Sequence, residues 1–309
     1  MRIATVSIQN QGVNSILDKQ VDLSKTELQL ATGKKILRPS DDPVNSSIVL
    51  NLKESIAMSE QHIRNADMAN ASLSFEESTL EGIGDNIQRA RELMLQGLND
   101  TNSTQSRAAI AEELKQIREA VFNLANTRDE KGEYLFAGSM APSAPGPFKS
   151  INPQSDEVAY EGNDTSRQIQ LGIGQKVVVR DNGEAVFGKI NSEDRSDIFS
   201  TLGDMIEWLA PADPEAPKVA SSDGLLGNLD AGLDRVLETL SKIGARMNRI
   251  ERNSDVERAF MDKMKESLSQ VNDVDYAEAI AQFNIDQVGM QAAQQAYTKI
   301  QGLSLFQYL

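Results

Sequence analysis

LGNLDAGLDRVLETLSKIGARMNRIERNSDVERAFMDKMKESLSQV, residues 226–271, repeats apolar side chains at alternating spacings of three and four. Leu226, Leu229, Leu233, Val236, Leu240, Ile243, Met247 and Ile250 follow without a break. Polar Ser254 and Glu257 interrupt, and the same register resumes at Met261, Met264, Leu268 and Val271. This period predicts one helix of about fifty residues, roughly 75 Å long. A helix of that length buries its apolar seam only against another long helix. The first half of the chain supplies candidates. Residues 43–99 read as helix, with Gly82 and Gly84 as a soft point, and 104–126 carries Ile110, Leu114, Ile117, Val121 and Leu124 at heptad spacing. Between them, LNDTNST at 98–104 is dense in turn formers.

The middle of the chain has a different grammar. From Glu133 to Gly188 the helical period is lost, and Pro142, Pro145, Pro147 and Pro153 punctuate the stretch. Gln168 to Leu171 alternates as a strand does. Lys176 to Arg180 and Glu184 to Phe187 flank Asp181-Asn182-Gly183, a tripeptide that predicts a hairpin turn because Asn and Gly tolerate positive φ. A short amphipathic helix follows (Ile198, Leu202, Met205, Ile206, Leu209), then a linker, PADPEAPK, at 211–218. The fold expected is mainly α: a long antiparallel helical bundle or coiled coil formed by the N- and C-terminal halves, with a small β-rich domain inserted at the tip. The boundaries expected are 1–42 with 275–309 as a terminal coiled-coil assembly domain, 43–135 with 196–274 as a helical rod, and 136–195 as the insert.

Both ends of the chain are poor in charge. Residues 279–309 carry only Asp286 and Lys299, although a quarter of the whole chain is charged. Apolar residues recur at Ala281, Ile285, Val288, Ala292, Ala296, Leu303 and Phe306, beside a second row at Ile280, Phe283, Met290, Tyr297 and Ile300. A soluble helix keeps a charged face toward water, so this one expects protein on several sides. Met1 to Leu17 has one charged residue, Arg2, and Val6, Val13, Ile16, Leu23 and Leu30 fall on one heptad seam. The residues expected at an assembly interface are therefore these five together with Ile285, Val288, Ala292, Leu303 and Phe306.

Charge and composition exclude several functions. Of the net −15, residues 1–40 contribute +3 and 41–278 about −18. An acidic body without Lys/Arg clusters argues against nucleic acid. With no cysteine there are no disulfides, thiol nucleophiles or thiolate metal sites. No stretch approaches the apolar length that spans a bilayer, so membrane insertion is not expected. The opening MRIATVSIQNQG lacks the apolar core of a Sec signal. The single histidine, His62, reads as a solvated helix residue without a nucleophile beside it. Asp41-Asp42 and Glu76-Glu77 read as capping and surface charge rather than as calcium ligands or an acid–base pair. Gly172-Ile173-Gly174 is half of a dinucleotide fingerprint, lacking the third glycine and the following helix. No enzyme activity, metal or cofactor is expected. A helical scaffold presenting an adhesin-like or hydrolytic β domain would need clustered exposed aromatics, and Phe148, Tyr160 and Phe187 stand singly in the sequence.

LQLATGKKILRPSDDPV, residues 28–44, contains a helix stop and a helix start. Gly33 suits a left-handed C-cap, with Lys34 and Lys35 at the negative end of the helix dipole. Pro39 keeps the chain extended, Asp42 is a natural N-cap, and Pro43 is pre-set for the first helical position. The segment also resembles the TGKRI…SDDP signature of the flagellin superfamily. IQRARELMLQ at 87–96, GEYLFAGS at 132–139, IGARMNRIE at 243–251, DVDYAEAIAQFN at 273–284 and LSLFQYL at 303–309 match it in order. The YLFAG, DYAEAI and SLF segments resemble the junction branch of that superfamily more than flagellin itself.

The resemblance implies a structural subunit that joins hook to filament and packs between the first hook-associated protein and flagellin through its terminal helices; a filament subunit is the alternative. It also implies a ring of identical copies at the hook tip, export by the flagellar type III route with a cytosolic chaperone, and a location outside the cell. Because the pairing surfaces would lie in the terminal and rod segments, the β insert is expected to be dispensable for joining.

Overall fold

A computed structural model describes residues 2–306, apart from 100, 130, 139–145, 153–154, 164, 191–194 and 212–220. Pro142, Pro145, Pro153 and most of the 211–218 linker thus lie outside the described residues. The helices are α1 (Arg2–Thr32), α2 (Pro43–Gly97), α3 (Thr104–Ala125), α4 (Gly183–Phe187), α5 (Ile198–Leu209), α6 (Ser222–Asn272) and α7 (Tyr276–Phe306). Four short strands, β1 (Phe148–Asn152), β2 (Ser155–Tyr160), β3 (Gln168–Gly172) and β4 (Gln175–Val178), form two antiparallel hairpins between α3 and α4. The chain divides into two compact units: residues 1–60 with 259–309, and residues 61–258.

The second unit holds the main core. The 226–271 repeat is the single helix expected, α6, of which Leu229, Val236, Ile243 and Ile250, seven residues apart, are buried. Leu73, Leu80, Ile83, Ile87 and Met94 of α2 and Ile110, Leu114, Ile117 and Val121 of α3 join the same core. Gly82 and Gly84 do not break α2. A Cβ at Gly82 would lie 3.6 Å from Leu124 and one at Gly84 3.9 Å from Val236, so both glycines sit where α3 and α6 approach closely. Side-chain oxygens at Ser103 and Asp197 accept from the amides of Ser106 (3.1 Å) and Ser200 (2.9 Å) and start α3 and α5.

The strand at 168–171 forms as expected, but its hairpin closes elsewhere. Gly172 pairs with Gln175, and the turn is Ile173-Gly174, with Gly174 at φ +73°. The half-fingerprint glycines are therefore a turn. Asp181-Asn182-Gly183 is not one. Asn182 caps α4 by accepting from the Glu184 amide at 2.8 Å, and Tyr160 Oη lies 2.9 Å from both Asn182 Oδ1 and the Phe136 carbonyl. Those long-range partners, absent from any local pattern, turn 183–187 into a helical turn that buries Val186 and Phe187.

Nor does the insert cap the bundle. Its second hairpin lies along the helices, with Asn65 donating to the Gln170 carbonyl (2.8 Å), Ser72 to Val179 (3.3 Å), Arg249 to Lys176 (2.5 Å) and Asn253 to Leu171 (2.9 Å). All four are mid-helix positions on α2 and α6. α3 ends beside Gly82, and earlier along α2 the residues Asn65, Ser72 and Glu76 take their partners from the insert instead. The aromatics that stand singly in the sequence meet against Phe199 of α5: Phe148 is 5.0 Å from Tyr160, 4.9 Å from Phe187 and 5.4 Å from Phe199, centroid to centroid. They form core rather than an exposed platform.

Glu76 also departs from expectation. It is not surface charge but fully buried, accepting from the Asp181 amide at 3.0 Å, while Asp181 pairs with both Arg246 guanidinium nitrogens at 2.7 and 2.9 Å. Burial, then the Asp181 charge, raises its carboxyl from 4.5 to about 8. The folded state thus holds a proton that the unfolded chain releases. Stability from this group is complete below the ordinary carboxyl range and declines as pH rises toward about 8, after which it is flat. Near neutrality the ionisable side chain costs roughly 3 kcal/mol. Glu76→Gln should raise the urea midpoint at about pH 8 and flatten its decline from about pH 5 upward. Equal pH slopes for variant and wild type would refute this.

Candidate assembly interface

The first unit is built on α1 and α7, which run antiparallel side by side. Positions seven apart on α1 face α7 in turn. A Cβ at Gly12 would lie 3.0 Å from the Tyr297 ring, Lys19 lies along Gly289, Thr26 meets Asp286, and a Cβ at Gly33 would lie 3.0 Å from Tyr276 Oη. Glycine opposite a long side chain lets the helices close up at these layers. At the polar layer, Thr26 Oγ1 is 3.1 Å from Asp286 Oδ2 and Gln282 Nε2 donates to Oδ1 at 2.9 Å; both Thr26 and Asp286 are buried. One of the tail's two charges therefore sits inside the pair, where hydrogen bonds satisfy it.

This pairing divides the expected interface residues. Ile16, Leu23 and Leu30 share the α7-facing side of α1 and are half-buried. Val13 does not. It belongs with Leu17, Val21 and Leu28, an exposed apolar stripe at spacings of four, four and seven on the opposite side of α1. Ile285 and Val288 are 63% and 64% exposed, and with Ala281 and Ala292, also exposed, they form a stripe on the side of α7 away from α1. Val6, Leu303 and Phe306 lie within the helices, but their side chains fall outside the described residues. Each terminal helix thus has one apolar side spent on its partner and a second left open. Leu17, Val21 and Leu28 escaped the sequence reading, although their spacing is visible there.

Burial confirms how thin this pair is. Every residue of the main core cluster lies in the second unit. In the first, among the described residues, the buried apolar side chains are Val49, Ile56, Met264 and Ala279. An exposed apolar residue is ordinary; those of α1 and α7 lie in two continuous stripes, the one on α7 beside almost no charge and the one on α1 among Asp18, Asp22 and Lys25.

The elbow between α1 and α2 is built as its residues suggest. Gly33 has φ +68° and its amide bonds the Gln29 carbonyl at 2.9 Å, ending α1. Asp42 accepts from the Asn45 amide at 3.0 Å and from Asn45 Nδ2 at 2.6 Å, and those bonds hold its carboxyl below the usual range. Pro43 is the first residue of α2; Pro39, expected to keep the chain extended, is instead an exposed residue of a turn in which the Asp41 amide donates to the Arg38 carbonyl at 2.9 Å. What the sequence did not reveal is that the α6–α7 break lies against this elbow. Lys34 bridges Asp273, Lys35 N donates to the Asn272 carbonyl (2.7 Å) and Val274 N to Gly33 (3.0 Å), while Asp275 accepts from the Ala277 amide (2.9 Å) to start α7.

His62 is not solvated: it is part-buried with Nδ1 3.3 Å from Glu257 Oε1. Among the described residues no group of three or more His, Cys, Asp or Glu could hold a metal, and no helix is long and apolar enough to cross a membrane.

Comparison with known proteins gives a consistent set of matches. Residues 3–141 match the bacterial flagellin N-terminal helical region and 226–309 the bacterial flagellin C-terminal helical region. Flagellar hook-associated protein 3 of Escherichia coli (strain K12) is 30% identical over 99% of both chains. A flagellin of Halalkalibacterium halodurans is more distant, 23% identical over 86% of this chain and 83% of its own. A putative flagellar hook-associated protein from Vibrio parahaemolyticus shares the fold, with a TM-score of 0.67, 21% identity, and coverage of 75% of this chain and all of that one.

Proposed function

This chain belongs to the bacterial flagellin family, and from that premise we propose that it is the structural subunit joining the flagellar hook to its filament. The observation that carries the reading is the second apolar side on each terminal helix, open on a single chain. In the proposed junction, residues 1–42 with 275–309 form the assembly domain, and Val13, Ile285, Val288 and Ala292 contact neighbouring subunits. Val6, Leu303 and Phe306 extend the same faces, whereas Ile16, Leu23 and Leu30 hold α1 to α7. Gly33, Pro39, Asp42 and Pro43 act as cap and hinge toward the rod of 43–135 with 196–274, from which 136–195 is the insert. The neighbours are the first hook-associated protein on the hook side, flagellin on the filament side and further copies of this chain in a ring. Export follows the flagellar type III route, with a cytosolic chaperone on the apolar C-terminal segment.

The filament-subunit alternative is weaker, because similarity to flagellin is lower and covers less of the chain. A gene deletion separates the two. Cells lacking a junction subunit should build hooks, synthesise flagellin and shed it into the medium. Cells that lack this gene yet carry attached filaments would refute the proposal, and cells in which flagellin itself is missing would favour the alternative.

A further inference from the structure

A groove of about 440 Å³ opens in the first unit where the elbow folds over the start of α2. Ile36, Leu37, Val49 and Leu50 line it with apolar surface, and Leu50 is 67% exposed. Lys34, Arg38 and Lys53 stand around it, all exposed. Among the described residues none of the three has a carboxylate partner; the nearby Lys25 takes Asp41, at 4.0 Å. Three unanswered cations on an apolar floor are unusual in a chain of net charge −15. Such a floor with a basic rim fits an acidic, amphipathic polypeptide surface.

We propose that this groove receives the acidic flank of a second copy of the chain. Charge complementarity selects that occupant: every copy gathers Lys34, Arg38 and Lys53 at the groove, while residues 41–278 as a whole sum to about −18. Elbow meeting body is a heterologous contact, different on its two sides, and repeating it from copy to copy generates a ring or a helical row. Like-charged bodies would otherwise repel as copies crowd together, and each elbow offsets part of that repulsion. The inference rests on the junction reading and names a contact surface for its proposed self-association.

The test uses the purified full-length chain, mixed in equal parts with its nitrogen-15 form and treated with a carbodiimide, which couples a lysine amine directly to a touching carboxylate. Mixed-isotope peptides joining Lys34 or Lys53 to Asp or Glu within 41–278 are expected at about 0.05 M salt and should fade at about 0.5 M. Arg38→Glu with Leu50→Asp keeps both reporter lysines and should reduce those peptides about tenfold, with the thermal melt unchanged. Same-isotope peptides only, or mixed peptides that ignore salt and the double substitution, would overturn the proposal. No flagellum is needed, so self-association of this kind in a chain whose gene deletion leaves filaments attached would sink the junction reading alone.

Discussion

Replacing residues 140–195 by a short Gly/Ser linker is expected to unfold the second unit rather than merely shorten it. Read from sequence, the insert looks dispensable. In the folded chain it supplies Phe148, Val158, Leu171, Val177, Val179, Val186 and Phe187 to the main core, none more than 5% exposed. Each such side chain contributes roughly 1.5–3 kcal/mol by burial, and a domain's whole net stability is about 5–15 kcal/mol. Excision would also uncover Leu73 and Glu76 of α2, leaving a carboxyl without its Asp181 amide donor. A gentler probe is Phe187→Ala. Its ring lies 5.4, 4.9 and 5.3 Å from those of Phe136, Phe148 and Phe199, so truncation leaves a cavity with aromatic walls on several sides. The expected loss is about 3–5 kcal/mol. Urea unfolding followed by circular dichroism measures both. An excised chain that melts cooperatively at the wild-type midpoint would show that the insert is a separate body after all.

The helices were legible because their physics is local. A seam of three-four spacings can only be satisfied by one helical face, which is why 226–271 reads directly as α6. The elbow was legible for the same reason, since Gly33, Asp42 and Pro43 act on their own neighbours. Failures begin where the deciding partner is far away in sequence. Asp181-Asn182-Gly183 has hairpin chemistry, yet Tyr160 and the Phe136 carbonyl turn it into a helix cap. Glu76 has the composition of a surface residue, and only the docking of Asp181 shows that it is buried. The alternation at 168–171 says which side of the strand is apolar, but not that Asn65 of α2 and Asn253 of α6 bond its carbonyls.

The terminal helices present a subtler case. Scarcity of charge on α7 announced several apolar contacts without assigning them to sides. The four described residues of the α1 seam, Val13, Ile16, Leu23 and Leu30, then fall on two sides of the helix. Val13 faces away from α7, and Ile16, Leu23 and Leu30 face toward it, because the two rows of a three-four seam stand about 60° apart round the helix and only one row falls inside the pair. The antiparallel layers at Gly12, Lys19, Thr26 and Gly33 decide which side is inner, and no single-helix pattern contains that information.

Substituting both Ile285 and Val288 by Asp should abolish filament attachment while leaving the free subunit's stability almost untouched. In the single chain both side chains are largely in water, so the change costs the monomer no more than about 0.5 kcal/mol. In an assembly each would be buried, forfeiting roughly 1.5–3 kcal/mol per residue in every copy. The two carboxylates would add a desolvation cost where no cation answers them. Swimming should be lost and flagellin should appear in the medium, although the variant is exported and melts like wild type. Met290→Asp supplies the contrasting control on the same helix. Met290 is half-buried on the α1-facing side, so its substitution should loosen the helix pair in the isolated subunit and expose α1 and α7 to protease. The two variants, on opposite sides of one helix, would then fail in opposite ways: Met290→Asp as monomer, the Ile285/Val288 pair only as assembly. Normal swimming by the Ile285/Val288 variant would mean that the open side of α7 is not the surface that holds hook and filament together.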